Sequence, residues 1–202
     1  SEIHPRVLTA LGRPTVGHLD PYYLELMDRT QRALRAVMQT QNRMTFAVSA
    51  TGSAGMEAAV VNVIEPDDCL LVCVNGVFGA RMCDVAERAG ARVARIDRPW
   101  GETFRPEEVA EAVARHRPKA VGIVHAETST GAWQPLDEIA PLVRDSGALL
   151  IVDAVTSLGG VPVEVDRWQA DVVYSGSQKC LSCPPGLAPI SFSERALETI
   201  GR

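Results

Sequence analysis

The sequence predicts an α/β protein whose mostly parallel sheet is covered by helices on both faces. Short apolar runs occupy residues 69–74, 120–124 and 149–153, which is typical of buried strands. Segments with helical spacing of apolar residues separate these runs, and strands that alternate with helices favour a parallel sheet. Neither a helical bundle nor a β-sandwich has this order of elements, so both are excluded.

The other elements follow from apolar spacing and turn signals. Residues 1–21 contain three prolines and no clear periodicity, so we predict an irregular arm. Helices are predicted at 22–39, 80–89, 106–115 and 136–146, with a surface helix end at 167–169. Strands are predicted at 44–48, 69–74, 92–97, 120–124, 149–153, 171–174 and 188–192. The chain therefore divides into an arm, 1–21, and one domain, 22–202.

Composition limits the class of protein. The chain has 202 residues, of which 46% are apolar and 22% charged, and this suits one globular domain with a real core. A net charge of −5 and a pI near 5.4 argue against a nucleic-acid partner or an anionic membrane surface. No run approaches the roughly 20 apolar residues of a membrane span.

The five cysteines do not predict a metal site. Cys180 and Cys183 form a C-x-x-C pair, but a zinc ribbon needs a second pair, and Cys69 and Cys73 fall within a predicted strand. An odd number of cysteines fits reduced thiols. The first residues do not have the basic segment followed by an apolar segment that is typical of a secretory signal peptide. We therefore expect a cytoplasmic location, with targeting to an organelle as the alternative.

Lysine is rare in this chain. There are 18 arginines but only two lysines, Lys119 and Lys179, and the second lies in the motif SGSQKCLSCPPG, 175–186. A lysine amine can lose its proton and form a Schiff base with a carbonyl, whereas a guanidinium stays charged. The alternative is a surface lysine in a loop, since a high-GC codon bias would also explain the scarcity.

Asp153 ends the apolar run 149–153 and opens the motif DAVTSLGG, 153–160. In open α/β sheets ligands bind beyond the carboxyl ends of the strands, where Asp153 and Lys179 are both predicted. A pyridoxal phosphate site requires such a pair. The lysine carries the aldehyde, and the carboxylate keeps the pyridine nitrogen protonated so that the ring accepts electrons.

Small residues, TGSAG at 51–55, stand between the predicted strand 44–48 and an alanine-rich helix. Backbone N–H groups and the positive end of a helix dipole would meet there, which suits a phosphate. The motif is neither GxGxxG nor a Walker loop, and a close-packed helix start is the alternative. Together with Lys179 and Asp153, we interpret Thr51, Gly52 and Ser53 as a cup for the cofactor phosphate.

The spacing of DAVTSLGG from SGSQK, followed by Pro-Pro-Gly, resembles the class V aminotransferases of pyridoxal phosphate fold type I. Within that family the chain is most similar to the alanine–glyoxylate and serine–pyruvate aminotransferases, over nearly all its length. The resemblance implies that Phe78 stacks on the cofactor ring, although a loop aromatic in the core is the alternative. It also implies that Thr128, Val155 and Gln178 contact the cofactor. His125 and Glu127 could be acids or bases, but a structural network is favoured.

The resemblance further implies transamination between alanine or serine and glyoxylate or pyruvate, in a homodimer whose arm lies across the substrate entrance. A smaller C-terminal domain, with the arginine for the substrate carboxylate, is expected beyond this chain. Arg195 and Arg202 are expected to face solvent.

Several other functions stay open. Another class V enzyme, such as a phosphonate or pyridoxamine transaminase, a lyase or a desulfurase, would share these cofactor residues, and an inactive cofactor-binding fragment is also possible. An NAD-binding domain would need a GxGxxG motif, which this chain lacks. A non-enzymatic interaction domain would not need Lys179, Asp153 and the phosphate cup.

Overall fold

The computed structural model describes residues 2–201, so Ser1 and Arg202 lie outside the described part of the chain. The helices are α1 (Pro5–Leu11), α2 (Pro21–Val37), α3 (Gly52–Val63), α4 (Val77–Arg88), α5 (Pro106–His116), α6 (Ile139–Asp145), α7 (Val165–Trp168) and α8 (Glu194–Ile200). The strands are β1 (Met44–Val48), β2 (Cys69–Val74), β3 (Arg92–Asp97), β4 (Ala120–Val124), β5 (Ala126–Glu127), β6 (Ala132–Trp133), β7 (Leu149–Asp153), β8 (Val172–Tyr174) and β9 (Ala188–Phe192). Every strand predicted from the sequence is therefore present.

Seven strands form one sheet in the order β1-β9-β8-β7-β4-β2-β3. Neighbouring strands are parallel, except that β9 runs antiparallel to both β1 and β8. The register places Asp153, at the end of β7, beside Tyr174, at the end of β8. The predicted mostly parallel sheet is confirmed, and the carboxyl ends of its parallel strands lie at one edge.

Helices cover both faces of this sheet because successive residues of a strand point to opposite sides. In β2, Leu71 and Cys73 belong to a core layer that includes residues of α5 and α6. Leu70 and Val72 belong to the layer on the other face, which includes residues of α3 and α4. All of β2 is buried, as expected for a strand covered on both sides.

Helix α4 lies close to β2 because Gly79 faces the strand. A Cβ built at Gly79 would stand 2.9 Å from the carbonyl oxygen of Cys73 and 3.1 Å from the Cα of Val74. These are backbone atoms, which cannot rotate away as the end of a side chain can. The close contact therefore depends on glycine and sets the position of the first turn of α4.

The predicted arm is not irregular throughout, because it contains α1. Pro5 occupies the first turn of this helix, and the His4 side chain caps it by accepting the N–H of Arg6. Both features favour a helix start. No residue of α1 is buried, so the helix contributes nothing to the core of the chain.

Other differences concern helix bounds and burial. Helix α4 begins at Val77 rather than 80, and α6 at Ile139 rather than 136. Helix α8 was not predicted, and Ser193 caps it. Trp168, expected at the surface, is buried with its ring edge against His125. Arg195, expected to face solvent, is partly buried against Asp171 and donates to two main-chain carbonyls.

Within residues 2–201, no helix has both the length and the apolar character needed to cross a membrane. The same residues contain no group of three or more His, Cys, Asp or Glu side chains that could hold a metal ion. All five cysteines are free thiols.

Candidate active site

The two key predicted side chains follow neighbouring strands. Asp153 ends β7, and the loop that carries Lys179 begins directly after β8, which pairs with β7 in parallel. Their side chains line one cleft of about 200 Å³, together with residues from the start of α3 and the start of α4. The pairing of β7 with β8 therefore brings a carboxylate and an amine to the same edge of the sheet, as the sequence predicts.

Asp153 is held by two hydrogen bonds. Its Oδ1 accepts the backbone N–H of Val155 at 2.8 Å, and its Oδ2 accepts the O–H of Tyr174 at 2.9 Å. The residue is only 3% exposed. Burial raises the pKa of Asp153 to about 6, because the loss of hydration disfavours the charged carboxylate more than these hydrogen bonds favour it.

The loop before Lys179 is fixed by its serines. The Ser175 hydroxyl donates to the carbonyl of Ala154 at 3.0 Å, and the Ser177 hydroxyl donates to the carbonyl of Pro184 at 2.6 Å. The backbone of Ser177 is bonded twice more, through its N–H to Leu187 and through its carbonyl to the N–H of Cys183, each at 3.0 Å. The run of small polar residues thus holds the main chain beside the lysine in one conformation.

The two lysines of the chain differ in their surroundings. Lys119 Nζ lies 2.9 Å from Asp68 Oδ2, in a partly buried ion pair away from the cleft. Lys179 is partly exposed and lines the cleft, and no ion pair among residues 2–201 includes it. An amine without a carboxylate partner is the better nucleophile toward a carbonyl, because no salt bridge has to be broken before it reacts.

The Thr51–Ser53 segment lies at the start of α3. Thr51 is the residue before the helix, and its side chain makes no capping hydrogen bond, so the first N–H groups of α3 are not capped by it. A Cβ at Gly52 would stand 3.1 Å from the Val155 side chain and 3.6 Å from the carbonyl of Ser175. Glycine therefore lets the helix start approach the other wall of the cleft, and the helix dipole favours an anion there.

Phe78 is placed by a buried carboxylate. Glu127 Oε2 accepts the N–H of Phe78 at 2.9 Å, while its Oε1 accepts the hydroxyl of Ser129 at 2.7 Å. A Cβ at Gly76 would lie 2.3 Å from the Glu127 side chain, so this position requires glycine. Glu127 thus ties the first turn of α4 to the loop after β4, which agrees with the structural network favoured for it.

His125 also has structural contacts. Its Nε2 accepts the indole N–H of Trp133 at 3.0 Å. The Trp168 ring packs edge-on against the imidazole, with 4.8 Å between the ring centroids. Burial lowers the pKa of His125 to about 4, since an imidazolium is disfavoured away from water. The side chain does not line the cleft and is neutral near pH 7.

Eight of the nine predicted cofactor contacts line the cleft: Thr51, Gly52, Ser53, Phe78, Asp153, Val155, Gln178 and Lys179. Thr128 does not, and its hydroxyl is hydrogen-bonded to that of Thr156. The contact of Thr128 with the cofactor stays a prediction. Met56 and Arg81 line the cleft as well, and neither was predicted from the sequence. Arg81 follows Phe78 by three residues, a spacing that identifies one helix face once α4 is known to begin at Val77.

The residues fit pyridoxal phosphate in charge and in polarity. A helix start suits the phosphate, an amine suits the aldehyde, and a buried carboxylate suits a protonated ring nitrogen. Gln178 Oε1 is buried and has no hydrogen-bond partner among the described residues. Because buried polar atoms are nearly always paired, this atom indicates a polar ligand in the cleft.

The raised pKa of Asp153 predicts a pH-dependent stability of the cofactor-free protein. Its folded value, about 6, lies above the reference value of 3.8, so the stability that protonation contributes is present below about pH 4 and lost as the pH rises through 6. Asp153→Asn removes this loss. The stability of the variant relative to the wild type should therefore rise between pH 4 and 7, by on the order of 3 kcal/mol.

Urea unfolding of the cofactor-free protein at several pH values measures this difference. Asp84→Asn, an exposed carboxylate on α4, corrects for the loss of one negative charge. A free energy of unfolding of Asp153→Asn, taken relative to the wild type, that stays constant or falls as the pH rises would contradict the assignment.

Comparison with curated proteins finds relatives along nearly the whole chain. The (S)-ureidoglycine–glyoxylate transaminase of Bacillus subtilis is 43% identical over 199 residues, which are 98% of this chain and 48% of that protein. The alanine–glyoxylate aminotransferase of Rattus norvegicus is 42% identical over 196 residues, 97% of this chain and 47% of that protein. The chain thus spans about half the length of the curated relatives it matches.

Comparison with solved structures agrees. The crystal structure of alanine–glyoxylate aminotransferase from Nostoc sp. superposes with a TM-score of 0.99 at 52% identity, covering 100% of this chain and 54% of that one. The sequence profile described as Aminotransferase class-V matches residues 6–201. This match includes the cleft and the strands that form it, and the chain belongs to the class V aminotransferase family.

Proposed function

We propose that this protein uses pyridoxal phosphate to transfer an amino group between a small amino acid and a 2-oxo acid. The observation that carries the proposal is the single cleft in which Lys179, the buried Asp153 and the start of α3 meet. Family membership supports the reaction type, and the contacts of the cleft support the assignment of individual residues.

Pyridoxal phosphate would supply an aldehyde that condenses with amines and a ring that accepts the electron pair of a broken Cα–H bond. In this chain, the start of α3 with Thr51 and Ser53 would hold the phosphate. Phe78 and Val155 would pack against the flat ring. With the phosphate and the ring held in this way, the aldehyde would face Lys179. The hydrogen bonds of Ser175 and Ser177 set the position of the loop that carries this lysine.

Lys179 has two roles in this proposal. Its amine would hold the cofactor through the aldehyde. When it is not bonded to the cofactor, Lys179 Nζ would accept the proton of the substrate Cα as general base and give it back as general acid. No other group is needed as the base, and this agrees with the neutral, buried His125 and the structural Glu127.

Asp153 would keep the ring nitrogen protonated. Burial of its carboxylate away from water raises its pKa. A positive charge on a ring nitrogen beside it would reverse the effect, since an opposite charge favours the ionised carboxylate. The hydrogen bonds from Val155 and Tyr174 would hold the carboxylate in place for this contact.

Glyoxylate is our proposed amino acceptor, because the names of both curated relatives described above include it. Alanine or serine is the proposed donor, and pyruvate a second acceptor. The choice of alanine or serine as donor rests on the family resemblance, since no residue that lines the cleft identifies the side chain of the amino-acid substrate.

We further propose that residues 1–21 form an arm on the domain 22–202 and that the protein is a homodimer in the cytoplasm. Helix α1 buries no residue within this chain. Leu8, Leu11 and Leu19 are 52%, 63% and 75% exposed, and exposed apolar side chains on an arm favour contact with a partner subunit.

Borohydride reduction of the protein loaded with pyridoxal phosphate tests the covalent role. Peptide mapping should find the pyridoxyl group on Lys179, because this amine lines the cleft without an ion-pair partner. When alanine or serine is added to the protein loaded with pyridoxal phosphate, the visible absorbance of the bound cofactor should disappear. Glyoxylate or pyruvate should then restore it.

Lys119 is the matched control, since it is the only other lysine in the sequence. Lys119→Gln should keep the visible band and Lys179→Ala should lose it. Label on Lys119, or a band that no amino acid and 2-oxo acid pair can remove and restore, would overturn the proposal.

The dimer is tested by sedimentation equilibrium. The wild type should sediment as a dimer, and Leu11→Glu combined with Leu19→Glu should shift it toward the monomer, because the substituted charges oppose burial of the arm. A wild-type protein that binds the cofactor tightly as a stable monomer would rule the dimer out.

A further inference from the structure

Arg81 is the charged residue of the cleft that the proposed function leaves without a role. It lies on α4, three residues after Phe78, and lines the cleft beside the start of α3. Its guanidinium carbon stands 5.1 Å from the centroid of the Phe78 ring, within the range of a cation–π contact. The Phe78 ring therefore faces the guanidinium from one side.

The other contact of Arg81 points to the start of α3. Its Nη1 donates to the Ser53 hydroxyl at 3.4 Å, which is long for a hydrogen bond. No ion pair among residues 2–201 includes Arg81, whereas Arg88, two turns further along the same helix, is bonded to Asp84 at 3.0 Å. The donors of Arg81 are thus free for a stronger acceptor near Ser53.

A phosphate is such an acceptor. A phosphate monoester carries between one and two negative charges near pH 7, and the start of one helix offers only about half a positive charge. The remaining charge needs a cation nearby. A guanidinium matches phosphate oxygens with two parallel N–H groups, and Arg81 is the arginine that lines the cleft.

We propose that Arg81 binds the phosphate of the ligand seated at the start of α3 and so selects phosphorylated over unphosphorylated ligands. The proposal rests on the proposed function in so far as that ligand is pyridoxal phosphate. The guanidinium lies over the Phe78 ring and reaches Ser53 at the start of α3, so Arg81 links Phe78 to the proposed phosphate cup.

The test compares the dissociation constants of pyridoxal phosphate and of pyridoxal, which differ only in the phosphate. Arg81→Gln should weaken the binding of pyridoxal phosphate by about tenfold to a hundredfold, the range for lost charge-assisted hydrogen bonds. Binding of pyridoxal should change by less than about twofold. The salt dependence of pyridoxal phosphate binding should also become weaker in the variant.

Arg88→Gln is the control, because it removes the same charge from the same helix outside the cleft. It should leave both dissociation constants unchanged. Equal weakening of both ligands by Arg81→Gln would mean that the arginine only supports Phe78, and no weakening of either would mean that it has no role; both results overturn the proposal.

Stabilisation by inorganic phosphate separates this inference from the proposed function. If the wild type binds no pyridoxal phosphate, the proposed function fails on its own. Phosphate should still raise the unfolding temperature of the wild type and of Arg88→Gln more than that of Arg81→Gln. An equal rise in all three proteins would overturn the role of Arg81, whatever the cofactor is.

Discussion

The parallel pairing of β7 with β8 is the constraint on which the candidate site depends. It sets Asp153 opposite Tyr174, so that the tyrosine hydroxyl reaches the carboxylate and the chain leaves β8 beside it. The loop with Lys179 starts from this point. A shift of the register by one residue would turn Asp153 to the other face of the sheet, and the carboxylate, the tyrosine and the lysine would no longer meet.

Burial makes the charged Asp153 carboxylate costly in the cofactor-free cleft. Asp153 receives two hydrogen bonds and forms no ion pair within residues 2–201, and the loss of hydration raises its pKa. A ligand with a protonated ring nitrogen would relieve this cost. The same residue would therefore destabilise the empty protein near neutral pH and strengthen the binding of such a ligand, which is a common relation between stability and function.

The sequence predicted the sheet and most of the site for clear physical reasons. Buried strands are continuous apolar runs, and the polar residue that ends each run lies at the ligand-binding edge, so Asp153 and Lys179 could be placed together. Helix starts were harder to predict. Helix α4 begins directly after Gly76, in a segment held by the distant Glu127. Because no local signal marks that contact, the helix face with Arg81 was missed.

The missed burial of Trp168 has a similar cause. Its partners, His125 and Asp137, are distant in sequence, and local polarity alone indicated a surface position. The cofactor contact of Thr128 was implied by resemblance alone and stays a prediction. The location of a side chain is therefore predictable where the end of a strand sets it, and less predictable where contacts with residues distant in sequence set it.

The central claim is that Asp153, held by Val155 and Tyr174, keeps the ring nitrogen of bound pyridoxal phosphate protonated. The ¹⁵N chemical shift of cofactor labelled at that nitrogen measures its protonation directly. We expect the shift of a protonated nitrogen in the wild type near neutral pH and that of an unprotonated nitrogen in Asp153→Asn. An equally protonated nitrogen in the fully loaded variant would contradict it.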